Sequence, residues 1–178
     1  MATIRWLGHA SFEVVTRDGK IIYLDPWIRK NPVTPVKIED IKKANIICVS
    51  HGHEDHIGDS IEIAKATGAT LICSPEIGFY ADSKGIPYDE GSYPLNVGGS
   101  VTIDDVSIFM TSAAHTSEVY GEEWFAERRV VPGSGAVGYV IVAKDDIRIY
   151  FAGDTGLTMD MRIIGDVFNP DVALLPIG

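Results

Sequence analysis

The residues best suited to chemistry in this chain are histidines and aspartates that could bind metal ions. Six of them are predicted as ligands: His51, His53, Asp55, His56, His115 and Asp154. Imidazole and carboxylate donors without thiolate suit zinc, and they also suit manganese, iron or nickel. The donor types therefore predict a site for two divalent cations, with zinc ahead of the other metals.

Four of these ligands lie within one hexapeptide, residues 51–56, which reads His-Gly-His-Glu-Asp-His. In a turn, its first two histidines can face one cation while Asp55 and His56 face a second cation a few ångströms away. We expect that no helix is needed to hold these four ligands in place. Glu54 is expected to point away from the cations, toward solvent or a salt-bridge partner.

The hexapeptide is expected at the edge of a sheet, because a buried strand leads into it. Residues 44–50 form a short apolar, β-branched run, which is typical of a strand buried on both faces, and Gly52 marks a turn after it. The pattern predicts antiparallel hairpins in the second half of the chain and helices at 38–44, 60–67, 76–84 and 159–167. By itself this pattern predicts an α/β protein with a mixed sheet.

The composition predicts a single domain, residues 1–178, located in the cytoplasm. A chain of 178 residues, 46% of them apolar, can bury about 70% of the surface that its unfolded form exposes. The sequence shows no long apolar run and no secretory leader, so we expect neither a membrane span nor export. Cys48 and Cys73 each lie in an apolar strand and are interpreted as buried hydrophobic residues rather than as ligands or a redox pair.

The charge of the chain argues against nucleic acid as a partner. Its formal net charge is −10 and its pI is near 4.8, whereas a nucleic-acid surface needs clustered lysine and arginine. Two cations would still create a local positive site. We therefore expect a small, anionic substrate.

The ligand set and several short motifs resemble the metallo-β-lactamase superfamily. The motifs are Trp6-Leu7-Gly8-His9-Ala10, Leu24-Asp25-Pro26-Trp27, Ala152-Gly153-Asp154-Thr155-Gly156 and Leu174-Leu175-Pro176-Ile177-Gly178. They look like the metal-dependent hydrolase branch related to L-ascorbate 6-phosphate lactonase, and the likeness covers the whole chain. The resemblance implies a four-layer αβ/βα sandwich with the ligands on loops at one edge.

The resemblance also implies a role for each ligand. The first metal would be held by His51, His53 and His115, the second by Asp55 and His56, and both would be bridged by Asp154. Asp25 would accept a hydrogen bond that orients a ligand imidazole. His9, at the tip of a hairpin, would contact the substrate or support a ligand.

The family pattern continues past residue 178 with a further histidine for the second metal. We therefore expect the C-terminal part of the domain to be incomplete, with a second site that is either weak or completed by water or a partner chain, and with a tendency to form homo-oligomers through the last strand.

These sites predict metal-assisted hydrolysis of a lactone, ester or phosphodiester by a metal-bound hydroxide. Two cations about 3.5–4 Å apart would lower the pKa of a bridging water and polarise the bond being cleaved. Asp55 is the predicted catalytic residue, because it can position the water and transfer its proton. The alternatives are a mononuclear iron oxygenase of the persulfide type and a metal-binding fragment without turnover.

The segment 117–135 begins beside His115 and carries two arginines, Arg128 and Arg129. It is interpreted either as a solvated surface excursion or as a lid whose arginine binds an anionic substrate.

Overall fold

Two sheets carry the functional loops of this protein. The computed structural model describes residues 2–119, 133–144 and 147–177. In this part of the chain the first sheet contains, in spatial order, β1 (Thr3–Gly8), β2 (Ser11–Val15), β3 (Ile21–Leu24), β4 (Ile46–Cys48), β5 (Thr70–Cys73) and β6 (Ser92–Pro94). The second sheet has the order β11-β10-β9-β8-β7, formed by β7 (Ser100–Ile103), β8 (Val106–Ser112), β9 (Val137–Ala143), β10 (Arg148–Phe151) and β11 (Val172–Leu174).

The first sheet changes from antiparallel to parallel pairing at β3. Strands β1 to β3 form an antiparallel meander, whereas β3 to β6 pair in parallel. Leu24 of β3 is the register partner of Cys48 of β4. Because parallel strands end at the same edge of a sheet, the residues that follow β3 and β4 emerge side by side.

Helices cover the outer face of each sheet. They are α1 (Glu54–Ile57), α2 (Ser60–Thr67), α3 (Pro75–Ser83) and α4 (Asp160–Phe168). On the first sheet, Ile63 and Ile77 pack with Leu71 in one apolar cluster, and on the second sheet Ile164 packs with Tyr150.

A third cluster fills the space between the sheets and contains residues of both, among them Ile22, Ile46, Ile108 and Tyr139. The order of layers is therefore helix, sheet, sheet, helix, which confirms the predicted four-layer sandwich. Cys48 and Cys73 are fully buried free thiols in the first sheet, as predicted.

The helix predicted at 38–44 is wrong. Only a 3-10 turn forms, Ile38–Asp40, and Ile41 is already extended. The reason lies at Asn45, whose backbone N–H donates to Ile21 O at 2.8 Å and whose Oδ1 accepts from Ile21 N at 2.9 Å. These bonds hold the chain against the start of β3 and require it to be extended before β4 begins.

None of the helices in the described ranges is both long enough and apolar enough to cross a membrane. The corner predicted at Asp145-Asp146 and residues 120–132 of the possible lid, including Arg128 and Arg129, lie outside the described residues.

Candidate metal centre

The structure brings the six predicted ligands together at one edge of the sandwich. One cluster contains His51, His53 and His115, with one donor atom of each lying within 4.8 Å of the others. His51 Nε2 lies 3.0 Å from His53 Nδ1. These are three imidazoles from two loops, as the prediction for the first metal requires.

A second cluster contains Asp55 and His56, and it includes His9 as well. Asp154 lies between the two clusters. Its Oδ2 is 3.3 Å from His56 Nε2 and 3.8 Å from His115 Nε2. This position suits a carboxylate that bridges two cations, so the predicted bridging role agrees with the geometry and stays a prediction.

The hexapeptide does use a helix, contrary to the expectation from sequence. His53 occupies the N-cap position in an extended conformation, and Asp55 and His56 lie in α1, which is a single turn. The turn before it requires glycine, because a Cβ at Gly52 would lie 2.8 Å from Glu118 O. The backbone therefore changes from extended to helical at His53, between the hexapeptide donors of the first cluster and those of the second.

Asp25 contacts one imidazole of the second cluster directly and one of the first cluster through Ser50. Its side chain is fully buried, and it accepts from Ser50 N at 2.7 Å, from His56 Nδ1 at 2.7 Å and from the Ser50 hydroxyl. Ser50 Oγ in turn lies 2.9 Å from His51 Nδ1. If Nδ1 donates in both histidines, each presents Nε2 as an acceptor toward the cation sites.

Glu118 and Ser50 also contact imidazoles of the site, and the sequence analysis predicted neither contact. Glu118 Oε2 lies 3.2 Å from His53 Nε2, which leaves His53 Nδ1 to face His51. In the sequence, each residue is distinguished only by lying near a predicted ligand. A carboxylate three residues after a histidine, or a serine before one, is too common to predict a contact.

The pKa values of the two buried imidazoles, His51 and His56, are shifted in opposite directions. Burial and the repulsion of neighbouring imidazoles lower the pKa of His51 to about 2, so it is a neutral donor at any physiological pH. Burial would also lower the pKa of His56, but contacts with Asp154 and Asp25 outweigh it and raise the pKa to about 10. The contact with His56 lowers the pKa of Asp154 to about 2.

The residues fit divalent cations. Within the described residues, Nε2 of the fully buried His56 makes no hydrogen bond, although buried polar atoms nearly always have a partner. It points at the carboxylates of Asp154 and Asp55, 3.3 and 4.0 Å away. A cation among these donors would replace the proton on His56 and satisfy the orphaned nitrogen.

Two further residues can be placed. His9 Nε2 lies 3.0 Å from Asp55 Oδ2, and the His9 ring meets the His56 ring edge-on at 5.2 Å. Glu54 points away from the clusters and pairs with Lys30, as expected.

Comparisons with known proteins agree with this site. The beta-lactamase superfamily domain family matches residues 20–178. A protein of Koribacter versatilis named UPF0173 metal-dependent hydrolase is 39% identical over 98% of this chain and 72% of its own length. A protein of the same name from Staphylothermus marinus is 44% identical over 100% of this chain and 72% of its own length.

Solved structures also resemble this chain. Igni18, described as a novel metallo hydrolase from Ignicoccus hospitalis, is 33% identical with a TM-score of 0.81, covering 100% of this chain and 72% of its own. The diiron beta-hydroxylase CmlA of Streptomyces venezuelae has a TM-score of 0.71 over 97% of this chain and 34% of its own at 12% identity, which shows the fold alone. The chain therefore belongs to the beta-lactamase superfamily domain family and, within it, to the enzymes named metal-dependent hydrolases.

Proposed function

We propose that this enzyme uses two divalent cations, zinc ahead of manganese, iron or nickel, to hydrolyse a small anionic lactone, ester or phosphodiester. The observation that carries the proposal is the position of Asp154, whose Oδ2 lies within 3.8 Å of a donor from each cluster. Two donor clusters that share one carboxylate are what a two-metal hydrolase needs.

The proposal gives different residues of the chain different roles. His51, His53 and His115 would hold the first cation, and Asp55 and His56 would hold the second. When bound, the cations supply a water of lowered pKa and polarise the bond to be cleaved. Asp25 and Glu118 fix the imidazole tautomers, so the donors need not reorganise when substrate arrives.

Asp55 is suited to move the proton. Its side chain is 43% exposed and held by His9 at 3.0 Å, whereas Asp25 is fully buried and fully hydrogen-bonded. A carboxylate at the open side of the site can accept a proton from the attacking water and return it to the leaving group.

The space beside the site suits a small molecule. A groove of about 420 Å³ opens at His9 and Asp154 and is otherwise lined mainly by apolar side chains, including Phe12 and Phe151. Its volume is in the range of small-molecule sites. Two dications outweigh the two ligand carboxylates, Asp55 and Asp154, which favours an anionic group at the reacting end.

The test combines metal analysis with turnover. We expect two zinc or manganese ions per chain and hydrolysis of at least one member of a panel of chromogenic lactones, phosphodiesters and thioesters, without dioxygen dependence. Asp55→Asn should abolish turnover, and Glu54→Gln, a neighbour in the same hexapeptide that faces Lys30, should not. A single iron with dioxygen consumption would instead favour the oxygenase alternative, and metal binding without turnover of any substrate would contradict the proposal.

A further inference from the structure

The second cation cluster contains one imidazole whose function the hydrolytic roles above leave open. His9, Asp55 and His56 each place a donor atom within 4.8 Å of the other two. His9 comes from the tip of the β1–β2 hairpin, whereas Asp55 and His56 lie in α1. Two separate segments of chain therefore contribute donors to this cluster.

The spacing of the donors is that of ligands around one cation. Donor atoms bound at about 2.1 Å lie about 3.0–3.4 Å apart when adjacent and about 4.2 Å apart when opposite. His9 Nε2 is 3.0 Å from Asp55 Oδ2, and His56 Nε2 is 4.0 Å from the same oxygen and 3.3 Å from Asp154 Oδ2. The 3.0 and 3.3 Å separations match adjacent donors, and the 4.0 Å separation is close to that of opposite donors.

The buried nitrogen of His56 supplies an independent observation. His56 is fully buried, its Nδ1 contacts Asp25 at 2.7 Å, and its Nε2 makes no hydrogen bond among the described residues. That nitrogen lies 3.3 Å from Asp154 Oδ2 and 4.0 Å from the same Asp55 oxygen that His9 contacts. A cation bound by all three would satisfy it, whereas an ion pair between His9 and Asp55 alone would not.

The backbone at His9 is held in an unfavourable conformation, and in this conformation the imidazole lies beside Asp55. His9 has a φ of +52°, in the left-handed region that side chains with a Cβ rarely adopt, and it follows Gly8 at +97°. Trp6 Nε1 donates to His9 O at 2.7 Å, and the His9 ring packs edge-on against Trp27. Strained residues that surrounding contacts hold in place are concentrated at functional sites. An exposed ion pair with Asp55 contributes too little to offset such strain.

We propose that His9 Nε2 is a direct ligand of the second cation, together with Asp55, His56 and the bridging Asp154. This inference rests on the proposed function, because it requires a cation in the second cluster. It assigns His9 to the metal itself rather than to the substrate or to a supporting contact.

Nitrogen NMR of the zinc-loaded protein tests the proposal directly. The chain has five histidines, and all five belong to the two clusters. A zinc-bound ring nitrogen has a chemical shift distinct from those of protonated and free nitrogens. With histidine labelled by ¹⁵N and two zinc ions bound, we expect all five rings to show one zinc-bound nitrogen. Four coordinated rings, with His9 uncoordinated, would overturn the proposal.

Metal affinity gives the second readout, by chelator competition. His9→Asn removes the donor and keeps a residue that tolerates the left-handed backbone. We expect it to weaken the second zinc by about 100-fold or more, since even loss of a supporting contact costs 10–100-fold, and to leave the first zinc bound. Glu118→Gln, which acts on His53, should show the reverse pattern.

The outcomes separate the two proposals. If the wild-type chain binds two zinc ions and His9→Asn binds both with unchanged affinity, the assignment of His9 fails and the proposed function stands. If the wild-type chain binds zinc only in the first cluster, or not at all, the assignment of His9 and the two-cation mechanism fail together.

Discussion

Replacing Asp25 by asparagine should weaken both cation sites, although Asp25 is not one of the proposed ligands. The carboxylate accepts three hydrogen bonds on two oxygens, from Ser50 N, the Ser50 hydroxyl and His56 Nδ1. Asparagine has the same shape and adopts the φ of +42° found here more readily than most residues. The substitution therefore changes the donors and acceptors and leaves the backbone in place.

The size of the effect follows from those contacts. If the asparagine carbonyl keeps the bond to Ser50 N, its NH₂ group faces two donors, His56 Nδ1 and the Ser50 hydroxyl. His56 can accept at Nδ1 only by moving its proton to Nε2, which removes the lone pair meant for the second cation. Loss of such a partner lowers metal affinity about 10–100-fold, or about 1.4–2.7 kcal/mol. His51 loses its orientation only indirectly, through Ser50, so the first site should weaken less.

Chelator competition with zinc, together with thermal unfolding of the metal-free protein, measures both effects. Asp59→Asn is the matched control, because Asp59 is also a largely buried carboxylate that accepts two backbone N–H groups, Ile28 N at 2.7 Å and Arg29 N at 3.0 Å, both on Oδ2. The amide oxygen of asparagine can keep both bonds, so metal affinity should not change. A folded Asp25→Asn protein with wild-type affinity at both sites would refute the reasoning.

Three further predictions concern the ligands and the loop behind them. The His51→Ala, His53→Ala double variant should lose the first cation. The wild-type protein should release metal on acidification, because imidazoles bind metal only when deprotonated. Elemental analysis checks both predictions, and unchanged metal content would exclude this ligand set. Asp154→Asn should lower metal stoichiometry and hydrolysis together, since it removes the charge that two dications share; loss of activity with two metals still bound would make Asp154 a proton-transfer residue instead. Gly153→Ala should lower the free energy of unfolding by about 2–4 kcal/mol, because Gly153 has a φ of +59° and a Cβ there would lie 2.6 Å from Ser50 Cβ. Gly68→Ala, with a φ of +74° and open space around it, should cost only about 1 kcal/mol, and equal losses in denaturant titrations would show that the collision with Ser50 is unimportant.

Elements that have a local stop signal could be predicted from sequence. The helix expected at 60–67 is found as Ser60–Thr67, because Gly68 adopts the left-handed conformation that ends it. Elements that depend on distant partners could not. The helix expected at 38–44 gives way to the pairing of Asn45 with Ile21, and β6, with proline at its end, becomes a strand only because β5 offers it an edge.

The same distinction applies to the site. The grouping of candidate donors from one hexapeptide could be predicted, since these residues are adjacent in the chain. Ser50 and Glu118 could not, because their effect depends on where their side chains point relative to residues on other loops. The proximity of His9 to Asp55 also depends on where the tip of the first hairpin lies relative to the loop that follows β4, which no local pattern encodes.

The register between β3 and β4 determines whether the metal centre can form. Leu24 pairs with Cys48, and Asp25 N donates to Cys48 O at 3.0 Å, so Asp25 lies beside Ser50 at the end of the parallel pair. A shift of one residue would turn the Asp25 side chain to the opposite face of the sheet and would leave both His56 Nδ1 and the Ser50 hydroxyl without their acceptor. The apolar side chains of the two strands prevent that shift, because Ile22 and Ile46 must face the second sheet while Tyr23 and Ile47 face the helices. The packing of the core thus determines which groups Asp25 can contact, and this one buried carboxylate links the two clusters through Ser50 and His56.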